Sequence, residues 1–231
     1  MQSLEEEMAT FVIVHGAWTG SWSWVRVIDR LRARGHKVHA PTLSGLAERS
    51  HLNQLPITLS THIDDIVNEV LWNDLEDIVL VAHSYGGIVA TGAVERLGKK
   101  VRSIVYLDAF VPEDGQGFTD FAPGWELSGQ LTESPPSSPG DYLDEADRAW
   151  VESKASPQPT ATLTERLKVT GAYKAVPRKT YIVATGWDGF QGIADGFRNQ
   201  PGWTVREVKC GHDVPIDRPE ELSGLLEEAA R

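Results

Sequence analysis

The sequence predicts an α/β fold: a mostly parallel sheet of about six strands, helices on both faces, and a small, mainly helical cap insertion. Three observations predict it. Short unbroken apolar runs, such as Phe11 to Val14, have the composition of strands buried on both faces. Segments with helical spacing alternate with those runs, as crossovers of a parallel sheet require. Between Pro112 and Pro177 the alternation stops and prolines gather, among them Pro135, Pro136 and Pro139, in a stretch too long for a bare loop.

Each element follows from local chemistry. Phe11 to Val14 ends at His15-Gly16, and Ser21 to Arg34 then carries Trp24, Val27, Ile28 and Leu31 at helical spacing before the stop at Gly35. Lys37 to Ala40 reads as a strand closed by Pro41, and Thr42 to Pro56 as a polar loop. A helix capped by Ser60 or Thr61 follows, with Ile63, Ile66, Val67, Val70 and Leu71 on one stripe. Asp77 to Ala82 is a strand running into His83-Ser84-Tyr85-Gly86-Gly87, Ile88 to Leu97 a helix, and Val101 to Leu107 a further strand. Within the insertion, Asp141 to Lys154 and Thr162 to Thr170 have helical character. Thr180 to Ala184 and Thr204 to Val208 are the last strands, with helices over Gln191 to Asn199 and Pro219 to Ala230. The expected division is a core of residues 1–111 and 178–231 with a cap over 112–177.

A chain of 231 residues suits one such unit, and 41% hydrophobic with 24% charged residues is ordinary for a globular, water-soluble protein. A formal net charge of −11 with no offsetting basic cluster argues against nucleic acid and anionic lipid as partners. The start MQSLEEEMAT lacks the basic and apolar stretches of a secretory signal, and no run is long enough to span a bilayer, so a cytoplasmic protein is expected. The single cysteine, Cys210, excludes an internal disulfide and reads as a small buried hydrophobe.

The chemistry concentrates at Val81-Ala82-His83-Ser84-Tyr85-Gly86-Gly87, the small-x-Ser-x-Gly pattern at a strand-to-helix junction. Such a tight turn needs small residues two before and two after the serine, and Ala82 and Gly86 meet that need. It lifts the hydroxyl of Ser84 above the sheet edge beside a helix N-terminus that favours a developing anion. A hydroxyl needs a base near neutrality. Of seven histidines, His212 lies just after the last strand, where the base of such a site stands. His83 is expected to point away from Ser84, in a packing or supporting role. His36, His39, His51 and His62 lack this context, and no histidine pair has metal-ligand spacing, so neither metal nor cofactor is implied. The backbone N–H groups of Ala17, in His15-Gly16-Ala17-Trp18, and of Tyr85 are the expected oxyanion hole.

Phe11 to Trp24, Val79 to Gly87, Val105 to Pro112 and Gly211 to Pro215 resemble α/β hydrolases. HGAWTGSWSW with AHSYGG is similar to the small-capped group holding plant salicylate-binding methyl esterases, hydroxynitrile lyases and related bacterial esterases. The resemblance implies the α/β-hydrolase fold and a serine hydrolase acting through an acyl-enzyme on a small hydrophobic carboxylic ester, thioester or lactone. The lyases of this group carry a threonine near the oxyanion loop and a lysine after the catalytic histidine. Gly16 and Asp213 stand at those places here, and an acid beside His212 would repel cyanide. The alternatives kept open are a lyase, epoxide-opening or cyclising enzyme of secondary metabolism, and a non-catalytic ligand binder.

Two aspartates compete to orient His212. Plant esterases of the group have their acid after the later strand, the region of Asp188, though the alignment leaves Asp188 one residue late. Other α/β hydrolases carry it after the strand that follows the nucleophile helix, where Asp108 stands. Between Leu107 and Ala109-Phe110 an aspartate needs a partner to be buried, whereas Asp188 sits in an ordinary turn, so Asp108 is favoured. Trp18, Trp125 and Trp150 are placed near a pocket for the small-molecule substrate; oligomeric state and natural substrate are not legible.

Overall fold

The computed structural model describes residues 8–125 and 127–231. The acidic residues 1–7, part of the stretch unlike a secretory signal, lie outside them. β1 (Thr10–Val14) leads through a 3-10 turn, Ser21–Trp24, into α1 (Val25–Ala33). The single helix expected over Ser21 to Arg34 is thus divided, because Ser23 bonds the Gly20 carbonyl through both its N–H (3.1 Å) and its Oγ (2.9 Å), tightening the first turn. β2 (Lys37–His39) follows, then a 3-10 segment, Ala47–Leu52, within the expected loop.

α2 (Leu59–Trp72) is capped by Thr58, not by Ser60 or Thr61. The Thr58 N–H donates to Thr61 Oγ1 (3.1 Å), while Ser60 Oγ turns outward to Glu165 (2.6 Å). β3 (Ile78–His83), α3 (Gly86–Leu97) and β4 (Val101–Leu107) complete the first half. The inserted segment holds α4 (Phe118–Phe121), β5 (Leu131–Thr132), α5 (Glu145–Lys154), β6 (Gln158–Pro159) and α6 (Thr160–Thr164). Helix was expected as far as Thr170. The chain instead leaves it at Glu165, and Leu167 exchanges backbone bonds with Gly115 and Gln116 (both 2.9 Å) while its side chain is buried. The antiparallel pair β5–β6 was not expected either, since two-residue strands show no periodicity.

β7 (Arg178–Ala184), α7 (Gln191–Arg198), β8 (Trp203–Val208), α8 (Val214–Asp217) and α9 (Pro219–Ala230) close the chain. The six long strands form one parallel sheet in the order β2-β1-β3-β4-β7-β8. Successive strand residues alternate between its faces. Phe11, Ile13, Val79, Val81, Val105 and Leu107 pack with Val27 and Leu31 of α1 and Leu222 and Leu226 of α9. Val12, Val14, Leu80, Ala82, Ile104 and Tyr106 pack with Ile66 and Val67 of α2 and Ile88 and Val89 of α3. Each fully buried side chain of this kind contributes about 1.5–3 kcal/mol, which is why the strands are apolar throughout.

Strand order reverses between β1 and its neighbours β2 and β3, and a sheet of this kind binds ligands beyond the carboxyl ends of its strands at such a point. The turns after β1, β3, β4, β7 and β8 meet there. Among the described residues no helix is long and apolar enough to cross a membrane.

Candidate active site

Ser84 follows β3 with φ +54°, a left-handed conformation that costs a non-glycine residue about 1–2 kcal/mol. The turn is held by bonds from the Gly87 N–H (3.0 Å) and Phe110 N–H (3.3 Å) to the Ser84 carbonyl. It is possible only because its neighbours are small. A Cβ on Gly86 would lie 2.6 Å from the Val14 carbonyl oxygen, and one on Gly87 would lie 2.1 Å from that of Phe110. Helix α3 therefore starts directly against the end of β1, with Tyr85 as its first cap residue.

The turn after β1 faces this elbow. A Cβ on Gly16 would come 3.3 Å from Ser84 Cβ. His15 fixes the direction of the next peptide: its Nε2 accepts the Leu43 N–H (3.0 Å), so Nδ1 carries the proton and donates to the Gly16 carbonyl (2.8 Å). Burial pushes His15 down to about 4, which keeps that tautomer neutral. In the sequence His15 stands only as part of a motif; the bond that sets its tautomer comes from Leu43, far along the chain. Trp18 (φ +59°) ties the same turn to the inserted segment, donating from its N–H to Gln158 Oε1 (2.9 Å) and from its indole to the Thr132 carbonyl (3.0 Å). The N–H groups of Ala17 and Tyr85 are not taken up by backbone partners among the described residues.

The structure brings His212 to Asp108. Asp108, also left-handed at φ +42°, is fully buried, and its Oδ2 accepts from His212 Nδ1 (2.7 Å). The same oxygen accepts the Trp187 indole N–H (2.8 Å), and Oδ1 accepts the Ala184 N–H (3.0 Å). Asp188 lies exposed in the turn after β7 and is not brought to His212. The His212 ring is parallel to Phe190 at 5.3 Å, with Trp187 at 4.8 Å and His83 at 4.6 Å.

His83 borders the cleft in a supporting place, donating from Nε2 to the His212 carbonyl (3.0 Å). The room for its ring comes from Gly16, where a Cβ would stand 3.2 Å from His83 Nδ1. Burial, with the neighbouring His212, pushes it down to about 4, so it is a neutral support.

The cleft has a volume of about 470 Å³ and includes Trp18, Ser84, Pro135, Tyr142, Val151 and His212 in its walls. Trp125 and Trp150, expected there, do not border it. Trp125 stacks on the Trp18 ring (5.2 Å, 22° between planes). Trp150 packs edge-on against Trp22 (5.1 Å) beneath Arg26, while Val151 and Glu152 are the residues of α5 that border the cleft. The Tyr142 hydroxyl donates to Asp213, the residue after His212. Among the described residues no group of three or more histidine, cysteine or acidic side chains is arranged to hold a metal. Cys210 is buried two residues beyond β8, its thiol pushed up to about 12 by that burial.

A family profile described as "Alpha/beta hydrolase family" matches residues 11–225. The chain is 39% identical over 239 residues to the carbendazim hydrolyzing esterase of Nocardioides sp. (strain SG-4G), covering 95% of this chain and 98% of that protein. It is 26% identical to methylesterase 10 of Arabidopsis thaliana, over 98% of this chain and 93% of that one. In structure it is similar to an extracellular α/β-hydrolase from a Paenibacillus species, with a TM-score of 0.80 at 23% identity over 96% and 99% of the two chains. The chain belongs to the α/β-hydrolase family.

Proposed function

We propose that this protein is a carboxylic ester hydrolase in which Ser84 is the nucleophile, His212 its base and Asp108 the acid that orients the base. The observation that carries the reading is the buried Asp108 carboxylate bound to His212 Nδ1 at 2.7 Å, with Ser84 raised on its elbow at the same cleft. Asp108 holds the imidazole with Nδ1 protonated, so Nε2 is the acceptor for the serine proton. Ser84 Oγ attacks the ester carbonyl as His212 takes its proton, and the Ala17 and Tyr85 N–H groups hold the oxyanion. Collapse of the tetrahedral intermediate expels the alcohol, which leaves with the proton from His212. Water, deprotonated by the same histidine, then frees the acid from Ser84. Of the described residues, 112–125 and 127–177 serve as the cap over a core of residues 8–111 and 178–231.

The substrate class we assign is a small hydrophobic carboxylic ester, thioester or lactone. Apolar walls from Trp18, Pro135 and Val151 and a volume of about 470 Å³ support it, as do relatives named as methylesterases and as a carbendazim-hydrolysing enzyme. The test is labelling by a fluorophosphonate with peptide mapping. Modification at Ser84, blocked in Ser84→Ala and parallel to loss of p-nitrophenyl acetate turnover, is expected; turnover surviving in folded Ser84→Ala would overturn the reading.

A further inference from the structure

The loop after β7 offers no acid to His212, yet it reaches the site through a side chain outside the triad. Trp187 donates its indole N–H to Asp108 Oδ2 at 2.8 Å, the same oxygen that binds His212 Nδ1 at 2.7 Å. The ring is seated for this: a Cβ on Gly189 would lie 2.2 Å from Trp187 Cη2, so only glycine leaves room for the indole in that pose. Phe190 and His212 flank it, with ring centroids 5.6 Å and 4.8 Å away.

We propose that Trp187 is a positioning residue of the catalytic acid, locking the Asp108 carboxylate in the orientation that His212 requires and drawing off part of its negative charge. The inference rests on the reading of Asp108 as the acid of the triad. With one oxygen held by the Ala184 N–H at 3.0 Å and the other by the indole, the carboxylate cannot rotate without breaking a charge-assisted bond. A donor on Oδ2 also weakens that oxygen as an acceptor for the imidazolium formed during attack, so the proton is more readily passed on to the leaving alcohol. A phenyl ring in the same place would keep the packing and lose both effects.

Other groups around the pair set its charge environment. His83, at the end of β3, is neutral, and Asp213, beside His212, is engaged by Tyr142 of the inserted segment. Tyr181 of β7, close below Asp108, donates its hydroxyl to the Ala109 carbonyl. None of them donates to Asp108 among the bonds described, so the indole is the side-chain donor to Asp108 outside the triad, and a phenyl ring in its place removes that bond while keeping a ring against His212.

The test measures kcat and kcat/KM against pH for the full chain with p-nitrophenyl acetate, using W187F, D108N and the double variant. Trp187→Phe is expected to lower kcat roughly tenfold with KM altered less than about twofold. The acid limb should move up by about half a pH unit, because the less stabilised carboxylate holds the imidazolium more tightly. In the D108N background the same change should alter kcat by less than about twofold, since its route of action is gone. Gly189→Ala, which displaces the indole without deleting it, should reproduce the shift of the acid limb and serves if W187F does not fold. A near wild-type rate and an unmoved acid limb in W187F, beside a collapsed D108N, overturn the role of Trp187 alone. So does an equal loss in both backgrounds, which marks a structural effect. Wild-type turnover in D108N overturns the acid assignment, and the Trp187 proposal with it.

Discussion

Replacing Asp108 by asparagine separates the two candidate acids, and the structure gives the size of the effect. The asparagine side chain has nearly the same volume but one acceptor oxygen where three donors converge: His212 Nδ1 at 2.7 Å, Trp187 Nε1 at 2.8 Å and the Ala184 N–H at 3.0 Å. If its oxygen takes the place of Oδ2, its NH₂ opposes the Ala184 N–H. If it is turned around, the NH₂ opposes the indole and drives His212 into the tautomer with Nδ1 bare and Nε2 protonated, which cannot accept the serine proton. Loss of charge adds to this: an imidazolium–carboxylate pair at 2.7 Å is worth about 6 kcal/mol at an effective dielectric of about 20. Only part of that develops in the transition state, so kcat should fall about 10³- to 10⁴-fold, or roughly 4–5.5 kcal/mol of barrier. The orphaned donor should also lower folding stability by about 1–3 kcal/mol, read from a urea titration. Asp188→Asn, on an exposed turn, should change kcat less than about threefold. The assay is turnover of one activated ester by both variants at matched pH. A collapse in Asp188→Asn with Asp108→Asn near wild type refutes the reasoning.

Gly16→Ala places a methyl group 3.2 Å from His83 Nδ1 and 3.3 Å from Ser84 Cβ, and should lower kcat several-fold; Gly16→Val should lower it by about two orders of magnitude. A rise in KM alone would mean that this turn only binds substrate. His15, His62 and His83 are each pushed by burial from 6.5 to about 4, so between those values the unfolded chain binds protons that the folded chain refuses. Stability should be full above about pH 6.5 and decline as pH falls towards 4, with a melting temperature that drops across that window; a flat profile there contradicts the buried neutral state. Arg26 holds Asp147 of α5 with both Nη atoms (2.7 and 2.5 Å) and reaches the Ile216 carbonyl (2.9 Å), so Arg26→Ala should cost about 1 kcal/mol and raise KM more than it lowers kcat. Unchanged KM would show that α5 keeps its place without this tether.

The parts of the site legible in the sequence are those whose signal is local. The small residues around Ser84 and the apolar strand before it mark a turn in one short window, and His212 is marked by the strand that precedes it. Asp108 is also marked locally: an acid between Leu107 and Ala109 must find a partner, and the structure shows three donors on it. What could not be read depends on partners far along the chain. The tautomer of His15 is set by Leu43, the orientation of the turn after β1 by Gln158, and the seat of Trp187 by the absence of a side chain at Gly189. Aromatic residues suit pockets, yet the directions of the Trp125 and Trp150 side chains, on an irregular segment and a short helix, follow from packing that composition does not carry.

The sheet order explains why an acid after β4 needs help from the loop after β7. β7 lies between β4 and β8, so Asp108 and His212 start from strands two places apart, about 10 Å at the usual spacing. An acid after β7 would start from the strand adjacent to β8. An acid after β4 must pass over the end of β7, where a backbone N–H and the turn that follows meet its carboxylate. Both oxygens find donors on that path, the Ala184 N–H on one and the Trp187 indole on the other. The aspartate of the turn after β7, Asp188, faces solvent, and the preceding side chain donates to the aspartate that crosses over it.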